Sequence, residues 1–206
     1  MNAQEAQNIK WSENIIIVDG DYIDHVAFDL IVNFERMLNR RIPAADFSQW
    51  AVNIALDGRL KPGNHETQVV LLHDKQNPKL ENFAPADYVK ELNGQAFKDP
   101  QLGEFIINAI ATDDEVAEKD NVLLDLLKTV LSHEEVKRIM LVPNAEDSHL
   151  ISTLRSTLRD TDDELKHITL FATQPLEGGN FKQQILGYSL LNAMGISSSE
   201  IEQKIK

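Results

Sequence analysis

Ile15-Ile16-Ile17-Val18 runs directly into Asp19-Gly20-Asp21. Four consecutive branched apolar residues suit a strand covered on both faces, as in a parallel sheet flanked by helices. An acidic residue at the carboxyl end of such a strand stands where open α/β sheets place their sites. The period then changes. Ile23, Val26, Ala27, Leu30, Ile31, Phe34, Met37 and Leu38 fall on one helical stripe. Asp21 is the expected N-cap, with Asp24 a carboxylate in the first turn.

Outward from this unit the alternation repeats. Pro43 suits the start of a second helix carrying Phe47, Trp50, Ala51, Ile54 and Ala55 on one face, with Gly58 at its end. Gln68 to His73 reads as strand two and Phe105 to Ala111 as strand three. Arg138 to Val142 is strand four, stopped by Pro143, and His167 to Ala172 is strand five. Val122, Leu123, Leu126, Leu127, Val130 and Leu131 mark one intervening helix, and Leu150, Ile151, Leu154 and Leu158 another. The expectation is a three-layer α/β/α, Rossmann-like domain with a five-stranded, mainly parallel sheet and strand one at its centre. Residues 1–13 read as a polar arm and 14–196 as one α/β domain with an insertion-like segment over 75–103. Residues 197–206 read as a short helical tail opened by the capping-box pattern Ser197-x-x-Glu200.

The formal net charge of -13 argues against general DNA coating and against anionic membranes. There is no cysteine, which excludes disulfides and thiolate zinc and fits a reducing cytoplasm. Met1 to Trp11 has no apolar signal region, and no apolar run reaches membrane-spanning length.

In a parallel sheet the carboxyl ends share one edge. The acids expected there are Asp19 and Asp21 after strand one, Asp74 after strand two, Asp113 and Asp114 after strand three, and Glu146 and Asp147 after strand four. Asp19, Asp21 and Asp147 are the candidate metal ligands, and Mg²⁺ or Mn²⁺ suits an all-oxygen set. Helix capping is the competing reading for the same residues, above all for Asp21 and Asp147. Gly178-Gly179 offers a candidate anion nest, with a plain turn as the alternative, and Arg40-Arg41 and Arg59-x-Lys61 are cations near loop ends.

With these residues in place, the chain resembles the PIN-like superfamily and its NYN branch. Those domains open on an apolar strand ending in Asp-Gly-x-Asn, which Asp19-Gly-Asp21 approaches with Asp in place of Asn. Their later Ser-Gly-Asp-x-Asp-Phe motif falls at Pro143-Asn-Ala-Glu-Asp147, where only Glu146 and Asp147 supply acids. The family's middle Asp falls near Asp120 and Asp125. The resemblance implies a sheet order of 3-2-1-4-5. It also implies a carboxylate-bound Mg²⁺ or Mn²⁺ that activates water for RNA cleavage, with Asp19, Asp21, Glu146 and Asp147 as catalytic residues. The departures imply, with equal force, a degenerate non-catalytic member. Asp19-Gly-Asp21 also matches the opening motif of haloacid-dehalogenase-like phosphatases, but the helix stripe begins too soon for that fold's flap.

A further alternative is a non-enzymatic module that binds another protein or itself. Phe181 to Met194 reads as one helix apolar over a wide arc, with Gly187 and Ser189 permitting close approach. Cover from the same chain and a homodimer through 181–194 are both compatible with that pattern.

Overall fold

The computed structural model describes residues 10–112, 116–162 and 164–205. Asp113 and Asp114, and most of the polar arm, lie outside them. In chain order the elements are β1 (Asn14–Asp19), α1 (Gly20–Leu38), β2 (Ala45–Asp46), α2 (Phe47–Asp57), β3 (His65–Asp74) and β4 (Phe83–Ala84). A π-helical turn (Tyr88–Leu92), β5 (Ala96–Asp99), β6 (Gly103–Thr112), α3 (Val116–Ser132), β7 (Arg138–Val142) and α4 (Ser148–Leu158) follow. The chain continues through β8 (His167–Ala172), β9 (Lys182–Ile185), α5 (Leu186–Ala193) and α6 (Ser198–Ile205).

Among the described residues the main sheet is seven-stranded, in the order β5-β6-β3-β1-β7-β8-β9. Only β5 pairs antiparallel. The five expected strands occupy the middle in the expected 3-2-1-4-5 order, with β1 at the centre. Period-2 alternation splits β1 between two cores. Ile16 and Val18 face α1, α2 and α5, while Ile15 and Ile17 face α3 and α4. All four are fully buried, and each contributes about 1.5–3 kcal/mol of burial free energy.

The two edge strands depart from the sequence reading. The insertion-like segment 75–103 supplies β5, and its Leu80, Phe83, Tyr88, Leu92 and Leu102 all enter the core. The expected helix over 181–194 is shorter. Lys182–Ile185 instead pairs with β8 as β9, and the helix begins at Leu186. Phe181 packs toward the α3–α4 side of the sheet, and Leu186 and Leu190 pack on the opposite side. Two faces of a sheet, rather than two sides of one helix, therefore account for the wide apolar arc.

Two caps also shift. Asp19, not Asp21, caps α1, accepting from the Tyr22 N–H at 3.0 Å. Asp46, not the Pro43 region, begins α2, accepting from the Gln49 N–H at 2.9 Å. Gly58 ends α2 as expected, its N–H donating to Ile54 O. The capping box of α6 is reciprocal: Ser197 N donates to Glu200 Oε2 at 3.1 Å and Glu200 N to Ser197 Oγ at 3.3 Å. Arg40 ties that helix to the body through Glu200 at 2.9 Å. Gly178 and Gly179 form a turn at positive φ (71° and 112°). That turn carries Asn180, whose amide donates to the Leu158, Arg159 and Thr161 carbonyls at the end of α4.

Candidate functional site at the carboxyl edge of the sheet

The end of β1 sits between β3 and β7, so its carboxyl terminus opens at the middle of the sheet edge. Asp19 is only 3% exposed there. Its cap bond to Tyr22 fixes the carboxylate at the first turn of α1, where the helix dipole favours negative charge. The first helical residue is Gly20, where the approach is tight: a Cβ there would meet the Tyr88 hydroxyl, and the Leu72 carbonyl at 3.1 Å.

Lys119, near the start of α3, reaches across to this edge. Its Nζ lies 2.8 Å from Asp19 Oδ1 and 2.7 Å from Asp21 Oδ2. The Lys119 side chain is 11% exposed. Burial works against its charge, but Asp19 and Asp21 outweigh it and hold the ammonium above the ordinary lysine pKa. Burial pushes the Asp19 carboxyl up, against the pull of Lys119 and the Tyr22 N–H. Two donors, the Lys119 ammonium and the Tyr22 N–H, meet the Asp19 carboxylate.

Asp21 has a second task. Its Oδ2 accepts from the Asp74 N–H at 2.8 Å and its Oδ1 from the Asn77 amide at 2.9 Å. It thereby pins the loop that leaves β3. His73 at the end of β3 is buried, and its Nδ1–H is directed at the Asp74 and Asn77 carbonyls at 2.9 and 3.0 Å. Its ring stacks on Tyr88, with centroids 3.8 Å apart and an interplanar angle of 8°. Tyr88 is fully buried, and among the described residues its hydroxyl has no hydrogen-bond partner. Burial, with Asp21, Asp24 and Asp19 nearby, raises its pKa strongly.

The other sequence candidates are partly drawn in. Asp147 caps α4, accepting from the N–H groups of His149 and Leu150 at 2.8 and 3.1 Å. Glu146 is exposed in the loop before it. Asp120 is half-buried. Burial raises its carboxyl, Asp19 and Asp147 add to the rise, and Lys119 and His149 oppose it. Asp125 is exposed, paired with Lys128 at 3.5 Å. Among the described residues no group of three or more His, Asp or Glu side chains is arranged to hold a metal ion. Asp19 and Asp21 share an ammonium, and Asp147 is engaged by the helix it caps.

A family model matches residues 8–201 and is described as a family of unknown function, DUF6621. The chain belongs to that family. No curated protein and no solved structure matches it. No helix among the described residues is long and apolar enough to cross a membrane.

Lys119 and Tyr88 are the participants that sequence reasoning missed. Lys119 stands in Glu118-Lys119-Asp120, a charged stretch of the kind that begins many solvated helices. Only the β6–α3 crossover, returning beside β1, brings it to Asp19. Tyr88 stands outside the regular β–α alternation altogether.

Proposed function

We propose that this chain is a non-catalytic module of PIN-like architecture that works by binding another protein chain, a second copy included. The observation that supports this most is the Lys119 ammonium held between Asp19 and Asp21 at 2.8 and 2.7 Å. In a carboxylate nuclease a divalent cation bridges such acids to the scissile phosphate. Here a side-chain cation bridges them from within the fold. The net charge of -13 further disfavours a polyanionic substrate. The immediate start of α1 at Gly20 leaves no room for the flap of a haloacid-dehalogenase-like phosphatase.

The helix pair α2–α5 is the surface to examine first. Tyr188 on α5 is 72% exposed and Leu56 on α2 is 43% exposed. Light scattering of the purified chain tests self-association. A mass near twice 23.3 kDa that falls to 23.3 kDa on Tyr188→Glu supports a second copy. A monomeric wild type directs the reading to a different protein.

One observation favours the nuclease reading instead: Asp120 on α3 feels the charges of Asp19, at the end of β1, and of Asp147, the cap of α4. In that reading Lys119 swings aside for Mg²⁺ or Mn²⁺. Incubation of single-stranded RNA with purified protein and Mn²⁺ separates the two. The module reading predicts no cleavage above that of Asp19→Asn. Cleavage by wild type that Asp19→Asn abolishes overturns it.

A further inference from the structure

The opposite edge of the sheet carries a different chemistry. Asn14, His65, Arg138 and His167 are the first residues of β1, β3, β7 and β8, four strands adjacent in the order β3-β1-β7-β8. Their starts, with the α2–β3 and α4–β8 loops, line a cavity of about 360 Å³. Five of its lining residues are basic or imidazole: Lys61, His65, Lys137, Arg138 and His167. Glu13 and Glu164 stand among them, and both are exposed. Three fixed cations, Lys61, Lys137 and Arg138, thus outnumber the two carboxylates on a chain of net charge -13.

Arg138 is the telling member. Its side chain is partly buried, and its Nη1 donates to the Gly58 carbonyl at 2.6 Å. Its Nε is buried and has no partner among the described residues. Among the described residues no carboxylate comes within ion-pair distance of it, and Glu13 acts on it only through the longer-range field. A guanidinium partly withdrawn from water with no counter-ion beside it costs free energy, which an anion in the cavity would recover. Lys61 and Lys137 are exposed and line the same cavity. Leu60 and Leu165 add an apolar side, and Leu165 is 62% exposed. The volume lies at the lower end of small-molecule sites and exceeds what a bare phosphate fills.

We infer that this cavity binds a small phosphomonoester, its phosphoryl group held by Arg138, Lys61 and Lys137 and its organic part resting on Leu60 and Leu165. This site lies across the sheet from Asp19 and Lys119 and is independent of the binding role proposed above.

The test is a backbone-amide NMR titration of the full chain with inorganic phosphate and with AMP, at constant ionic strength. Saturable shifts clustered at residues 60–65, 137–138 and 164–167 are expected, with AMP the tighter ligand. Lys61→Glu/Lys137→Glu reverses two exposed charges, leaves the fold intact and weakens both ligands by roughly tenfold or more. Absence of saturation, shifts spread over the surface, or unchanged affinity in the double variant overturns the site. Equal binding of chloride and phosphate reduces it to ionic screening. Single-stranded RNA binding there more tightly than AMP overturns the small-molecule assignment.

Discussion

Lys119 Nζ lies 2.8 Å from Asp19 Oδ1, and this contact joins the start of α3 to the end of the central strand. It decides what the carboxyl edge of the sheet can do. Asp19 is 3% exposed and cannot stay ionised there without a partner at little cost. Lys119→Met removes that partner and leaves Asp19 and Asp21 with backbone and amide donors but no counter-charge. A destabilisation of about 3 kcal/mol at neutral pH is expected from urea unfolding. The loss should shrink in acid, where protonated carboxyls no longer need a cation. An unchanged midpoint at neutral pH would contradict the role assigned to Lys119.

Tyr88→Phe removes a buried hydroxyl that has no partner among the described residues. Stability should rise by about 1 kcal/mol. The same variant tests the steric account of Gly20. Gly20→Ala drives a methyl into the Tyr88 hydroxyl, so it should cost about 2 kcal/mol in wild type and clearly less in Tyr88→Phe. Equal costs in the two backgrounds would place the strain elsewhere.

Alkaline stability follows from three groups. Lys119, Tyr22 and Tyr88 all bind their protons more tightly folded than unfolded, with pKa values raised from 10.5, 10.0 and 10.0. Below those unfolded values their contribution is fully present. As pH climbs from about 10 toward the folded values the unfolded state releases protons first, and stability is lost. Unfolding free energy should therefore fall steeply from pH 10 upward, and Tyr88→Phe should flatten the slope. A flat profile in wild type would contradict the burial assigned to these groups.

Asp147 is read as a cap. Asp147→Ala should cost about 1 kcal/mol through the loss of its bonds to the His149 and Leu150 amides. Asp147→Asn or Ser should restore most of it. Metal response should be the same in all of them. Failure of Asn and Ser to rescue would point to a role for the charge beyond capping.

The central sheet was legible because a strand covered on both faces must be apolar at every position, and Ile15 to Val18 and Ile139 to Val142 satisfy that. The edge strands were not. Lys182-Gln183-Gln184 has no apolar run because its outer side meets water. Phe97 shows its role only through its stack on Phe105, 4.8 Å away across the β5–β6 pair. At the site the acids of β1 could be placed from sequence, since β1 ends where its apolar run ends. Their meaning could not, because the Asp19–Lys119 contact is set by where a crossover helix returns and leaves no local pattern.

The most direct test of the account is thermal unfolding of wild type and Lys119→Ala with and without millimolar Mn²⁺. A metal that binds the folded state alone raises the midpoint by mass action. With the ammonium in place between Asp19 and Asp21, the wild-type midpoint should not move, while Lys119→Ala, its two carboxylates exposed to the ion, should gain several degrees. A rise of several degrees in wild type, abolished by Asp19→Asn, would contradict the account and assign the carboxyl edge to a metal.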